Sequence, residues 1–188
     1  MSTILDDPSP QIAARVAAER ERHGWSLADL AERSGVSKAM LSKIERQETS
    51  PTAVILLRIA TAFGLTLAGL LETPTRTAAR LLRAQDQPRW KDPATGYVRR
   101  QIFQSADNPL ELVEVHLPAG ARVALPAASY AFIRQVVWLM SGSLHIHEGS
   151  ETCALSAGDR LEFGAPADVE FHNPGAKPCR YLVALVRQ

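Results

Sequence analysis

The chain has 188 residues, 46% of them hydrophobic and 22% charged, with a formal net charge of +1. That composition suits ordinary globular protein, long enough for one large domain or two small ones. No apolar run approaches the roughly 18 residues that span a membrane, no secretory leader pattern opens the chain, and the two cysteines, Cys153 and Cys179, form no CxxC pair, so we expect a reduced, cytoplasmic protein without a membrane partner.

Residues 10–72 read as short helices. Apolar residues recur at three- and four-residue spacing: Ile12 and Val16, Leu27 and Leu30, Leu41 and Ile44, Ile55, Ile59 and Phe63. Ser26 with Asp29 forms a capping box, and Trp25 can staple onto Leu30. Gly35 falls where a helix end needs a left-handed residue. Ser37 caps the next helix. Ser50-Pro51 reads as an N-cap followed by proline at the first helical position. Gly64 ends that helix, and Thr66 starts a last short one.

Residues 74–97 read as a basic linker whose first part, Arg76 to Gln85, is compatible with helix. Between 76 and 100 stand seven Lys/Arg against Asp86 and Asp92, whereas residues 1–75 hold eight Lys/Arg and nine Asp/Glu. On a helix Arg76, Arg80 and Arg83 would share one face, either as a solvated surface or as unspecific attraction for DNA.

From residue 98 the period becomes two. Leu112–Leu117, Gln135–Met140, Leu144–His147, Arg160–Phe163 and Arg180–Val186 read as strands, with turns at Pro118–Gly120, Ser141-Gly142, Glu148-Gly149, Ala157-Gly158 and Asn173–Gly175. Many short strands at that spacing imply a sandwich or barrel.

The stretch Ser26–Glu45 carries the main functional signal. Small Ala31 lets two helices pack closely, Gly35 permits a tight turn, and Leu41 and Ile44 anchor the second helix. That leaves its other face free to enter a major groove. These residues, with Ile44–Thr52 and Leu57–Gly64, resemble the phage-repressor-like, xenobiotic-response-element type of helix-turn-helix. The resemblance implies a DNA-binding domain over 8–73 whose third helix reads bases while its flanks hold phosphates. Carried onto this chain, Lys38, Ala39, Ser42 and Lys43 would face bases after the Ser37 cap. Ser26, Thr49 and Thr52 would hold phosphates. Family members often have glutamine where this chain has Leu27 and Lys38, so the operator sequence stays open.

The second half, 98–188, resembles a cupin-like β-barrel, by Gln135–Leu144 and by Leu155–Phe163 with Pro166 and Phe171–Gly175. The implied fold class is α + β in two domains: a five-helix helix-turn-helix bundle followed by a cupin-type, double-stranded β-helix barrel. Metal-binding cupins carry an HxH pair, a Glu or Gln, and a later His. Here Gln135 takes the Glu/Gln place, but the histidine positions fall near Ser129, Ala131 and Val169, and no His lies between His116 and His145. No metal or other cofactor is expected. His145 and His147 form another HxH, yet Leu144 and Ile146 look core-facing, which turns both histidines outward. Both cysteines read as small buried hydrophobes. Candidate pocket residues are Arg122, Tyr130, Gln135, Trp138, Met140, Phe163 and His172.

These readings converge on a sequence-specific transcriptional regulator, not an enzyme. Its expected partners are double-stranded DNA with a near-palindromic operator, a second copy in a homodimer, and a small-molecule effector in the barrel. Two alternatives stay open: a cupin-type enzyme with an attached DNA-binding module, and a barrel that only dimerises the heads.

Overall fold

The computed structural model describes residues 9–71, 80–105 and 108–187. The chain divides into two compact units, 1–76 and 77–188.

The first unit is helical: α1 (Ser9–Arg22), α2 (Leu27–Ser34), α3 (Lys38–Glu45), α4 (Ala53–Ala62) and α5 (Leu67–Leu71). The apolar spacing does what it predicts. Ile12, Val16, Leu30, Leu41, Ile44, Leu56, Ile59 and Leu70 form one buried core. Helices this short are marginal alone, so this burial rather than propensity stabilises them. Capping fixes their limits. Ser26 and Asp29 close the capping box on α2, Gly35 ends it at φ 64°, and the Ser37 side chain accepts from the Met40 amide at α3.

Two local expectations are corrected. The cap of α4 is Thr52, whose side chain accepts from the Ile55 amide, and not Ser50. Ser50 instead shares a hydroxyl–hydroxyl hydrogen bond of 3.0 Å with Ser9. Serine and threonine offer the same capping oxygen, and burial of Pro51 and Ala53 selects the later frame. Trp25 stacks on Phe63 at 5.7 Å, on His23 at 4.5 Å and under the Arg33 guanidinium at 4.4 Å.

The expected linker helix does not form where the structure describes it. Arg80 to Arg83 run outside helix, and only Ala84–Asp86 make a 3₁₀ turn, so Arg80 and Arg83 share no helical face. Arg76 lies outside the described residues. Within the stretch read as linker, β1 (Arg89–Lys91) pairs antiparallel with β2 (Val98–Ser105), and Trp90 packs edge-on against Tyr97.

The rest of the second unit is β3 (Asn108–Leu117), β4 (Arg122–Leu125), β5 (Ile133–Ser141), β6 (Ser143–Glu148), β7 (Glu151–Ser156), β8 (Arg160–Glu162), β9 (Val169–His172) and β10 (Cys179–Arg187). One sheet runs β1-β2-β3-β10-β5-β8 and the other β4-β9-β6-β7, all antiparallel. Strands β3 to β10 in that order are the eight-stranded jelly roll of cupins, two sheets facing one core. Val113, Val115, Val137, Leu139, Leu144, Ile146, Phe171 and Val183 fill it. The β5–β6 corner requires glycine: Gly142 has φ 86°, and a Cβ there would stand 2.7 Å from the Cys179 Cβ. Buried Asn173 donates to the carbonyls of Leu117, Pro118 and Lys177, knitting three segments together at one end. Cys179 is buried, which pushes its thiol up to about 11, and Cys153 is half-buried; both are free.

Candidate nucleic-acid interface and barrel interior

On α3 the apolar side is Leu41 and Ile44, both fully buried. Ser37, Lys38, Ala39 and Lys43 are exposed and Ser42 is half-exposed, on the arc facing away from that core. The helix presents two amines, a methyl and a hydroxyl to solvent. That set can donate to guanine O6 and N7 and touch a thymine methyl.

What holds α3 in place was not legible in the motif. The Arg20 guanidinium of α1 donates to both carboxylate oxygens of Glu45, at 2.7 and 3.0 Å, and to the Trp25 carbonyl at 3.0 Å. One arginine thus ties the end of α3 to the entry of α2. Just beyond, Gln47 adopts φ 61°, unusual without glycine, and Arg46 pairs with Glu48.

The flanking phosphate candidates differ among themselves. Thr49 and Thr52 are half-exposed. Thr52 accepts from Ile55 through its oxygen, which leaves the hydroxyl hydrogen outside the cap. Ser26 is committed: its hydroxyl and its amide both donate to Asp29 Oδ2, at 2.7 and 2.8 Å. The Asp29 carboxyl is held below its ordinary value chiefly by the Ser26 hydroxyl. A carboxylate already sits at the α2 N-terminus, so an incoming phosphate would meet a like charge there.

In the barrel the candidate residues separate by strand parity. Tyr130, Gln135 and Phe163 line a pocket with Ile133, Glu148 and Val169. Arg122, Trp138, Met140 and His172 are not among its lining residues. On β5 Gln135, Val137 and Leu139 point inward, so Trp138 and Met140 project from the outer face. Trp138 donates its indole N–H to the Gly158 carbonyl. Arg122 and His172 face each other across β4 and β9 on the outside, beside Val123 and Phe171 that point in. His145 and His147 also face outward, with Leu144 and Ile146 buried between them. His145 stands opposite His172, ring centroids 5.9 Å apart.

The interior does not fit a catalytic metal of the cupin kind. Around Gln135 stand Tyr130 and Val169, with buried Ser129 in the segment before β5, and none offers imidazole. Among the described residues no three His, Cys, Asp or Glu side chains gather to hold a metal ion.

Residues 16–70 match the family model described as helix-turn-helix, HTH_3. The HTH-type transcriptional regulator SutR of Escherichia coli is 28% identical over 162 residues, covering 86% of each chain. The chain belongs to the HTH_3 helix-turn-helix transcriptional regulators. SinR of Bacillus subtilis matches this regulator's head alone, 34% identical over 67 residues, 35% of this chain and 60% of that protein. A crystal structure of an HTH_3 family regulator from Vibrio cholerae has the same fold throughout. It superposes with a TM-score of 0.80 at 21% identity, over 96% of this regulator and 97% of that chain. Among the described residues no helix is long and apolar enough to cross a membrane.

Proposed function

We propose that this regulator is a cytoplasmic homodimer that binds a near-palindromic duplex operator and responds to a small molecule held in its barrel. The exposed face of α3, anchored through Arg20 and Glu45, supports base reading by Lys38, Ala39, Ser42 and Lys43. Thr49 and Thr52 act as phosphate contacts beside it, and Ser26 acts through its cap on α2. One such head neutralises few phosphates, so useful affinity needs two.

The observation that carries the dimer is the outer face of the six-stranded sheet. In an antiparallel sheet with one face on the core, the other face is normally polar. Here Leu112, Val136, Trp138, Leu182, Ala184 and Val186 occupy successive outward positions, in register across β3, β10 and β5. Phe103 of β2 extends the row beside Leu112. Trp138 is 46% exposed, Val186 42% and Phe103 37%. A continuous apolar face of this kind marks an interaction site. A two-fold axis lets it cover itself with a second copy.

The enzyme alternative finds no imidazole set in the interior. The dimer reading is tested by comparing the full chain with a fragment ending at Pro74 on the same operator. The fragment should remain folded and lose most of the affinity. Equal affinity would remove the barrel from dimerisation.

A further inference from the structure

Inside the barrel, one row of inward positions runs across the sheet from β2 to β5: Arg99 opposite Val115, Val115 opposite Tyr181, and Tyr181 opposite Leu139. The neighbours of Arg99 in this row are buried, so its half-buried side chain is directed at the interior. It hydrogen-bonds the Tyr97 hydroxyl, and among the described residues no carboxylate pairs with it. From Tyr181 an aromatic series continues through Phe171 and Phe163 to Tyr130, with ring centroids 5.7, 6.1 and 5.9 Å apart.

At the far end of that series the interior holds polar groups without partners. The Tyr130 hydroxyl, the Gln135 side-chain nitrogen and the Ser129 hydroxyl are all buried and make no hydrogen bond. Tyr130 and Gln135 are each only 8% exposed. A buried donor left unmade costs about 1–3 kcal/mol, so three near one pocket call for an acceptor. The two carboxylates near this space are already engaged. Glu148, on the rim, accepts from the Gly164 amide at 2.9 Å, and buried Glu111 pairs with Arg187.

We propose that the barrel interior takes a small oxyanion, a carboxylate or an inorganic oxyanion. Arg99 supplies the charge, and Tyr130, Gln135 and Ser129 donate to the oxygens. Arg134, exposed at the pocket mouth, adds a second positive group on the way in. The pocket as described has free space little larger than one water molecule, which suits the head group of a small anion and excludes a bulky one. Positive charge on an inward guanidinium is costly to bury unpaired, and an anion supplies the missing partner.

This inference rests on the sensor reading of the barrel, and its test is independent of DNA. Thermal unfolding of the full-length protein is followed against sodium acetate, sodium sulfate and acetamide, with ionic strength held constant by chloride. Acetate or sulfate should raise the midpoint and saturate, whereas acetamide, of the same shape without charge, should not. Saturation separates site binding from the general stabilisation by excluded salts. The acetate and sulfate arms distinguish a carboxylate ligand from an inorganic one. Arg99→Gln should weaken the response at least about tenfold, the loss expected for a hydrogen bond to a charged group. Tyr130→Phe keeps the ring and should weaken it severalfold. A response shared by acetate and acetamide, or one that survives both substitutions unchanged, overturns the anion site. Saturable binding that leaves operator affinity unchanged supports the anion site and ends the sensor reading instead.

Discussion

Arg20 and Glu45, 25 residues apart, form a two-pronged ion pair of 2.7 and 3.0 Å that fixes the last residue of α3 to α1. Both side chains are largely buried, at 17% and 15% exposure. Removing one partner leaves the other charge unmet in a poorly hydrated place. Glu45→Ala should therefore destabilise the head by about 2 kcal/mol and lower its melting temperature by several degrees. Operator affinity should fall further than stability alone requires, because α3 loses its orientation. Chemical denaturation with a parallel binding titration checks both. An unchanged midpoint would make the pair a surface contact of no consequence.

Lys43→Ala should relax sequence choice by about 1–3 kcal/mol against the preferred base. Thr52→Ala, at a phosphate candidate, should weaken all sequences alike. Competition titrations with specific and scrambled duplexes separate the two. Equal losses on both DNAs for Lys43→Ala would show that Lys43 reads no base.

Trp138→Glu places a charge in the middle of the apolar outer face. Large aromatics at interface centres commonly contribute 2 kcal/mol or more, so the variant should sediment as a monomer at concentrations where the native chain is a dimer. Its unfolding midpoint, measured on the dissociated protein, should hardly move, since Trp138 points away from the barrel core. A dimer that survives would put the interface elsewhere.

The purified protein should carry substoichiometric transition metal by elemental analysis. Chelator should leave both its melting temperature and its DNA affinity unchanged. A single tightly held ion per chain, lost together with stability, would revive the enzymatic alternative.

The head was legible because its punctuation is local. Ser26 with Asp29, Gly35 and Ser37 each set a boundary within four residues, and the core spacing of Leu41 and Ile44 followed from helical period alone. The α4 cap was not, because Ser50 and Thr52 carry the same chemistry two residues apart and only packing chooses between them. The strands of the barrel followed from alternation, as did the outward turn of His145 and His147. The pocket followed only in part. Gln135 and Trp138 are three apart on one strand and cannot line the same wall, so parity alone could have separated them. Arg99 was missed for a different reason. It adjoins Arg100, and period two sends one inward and the other out to Glu114. The register with β3 decides which, and register is set by distant residues and by irregularities after Gln101.

The central claim is sequence-specific recognition by two copies of α3. It is tested most directly by selecting bound fragments from genomic DNA with the full-length protein and sequencing them. The account predicts enrichment of a near-palindrome whose half-sites lie about 34 Å apart, one helical turn. Fragments with no shared sequence, or a single half-site bound as tightly as the pair, would contradict it.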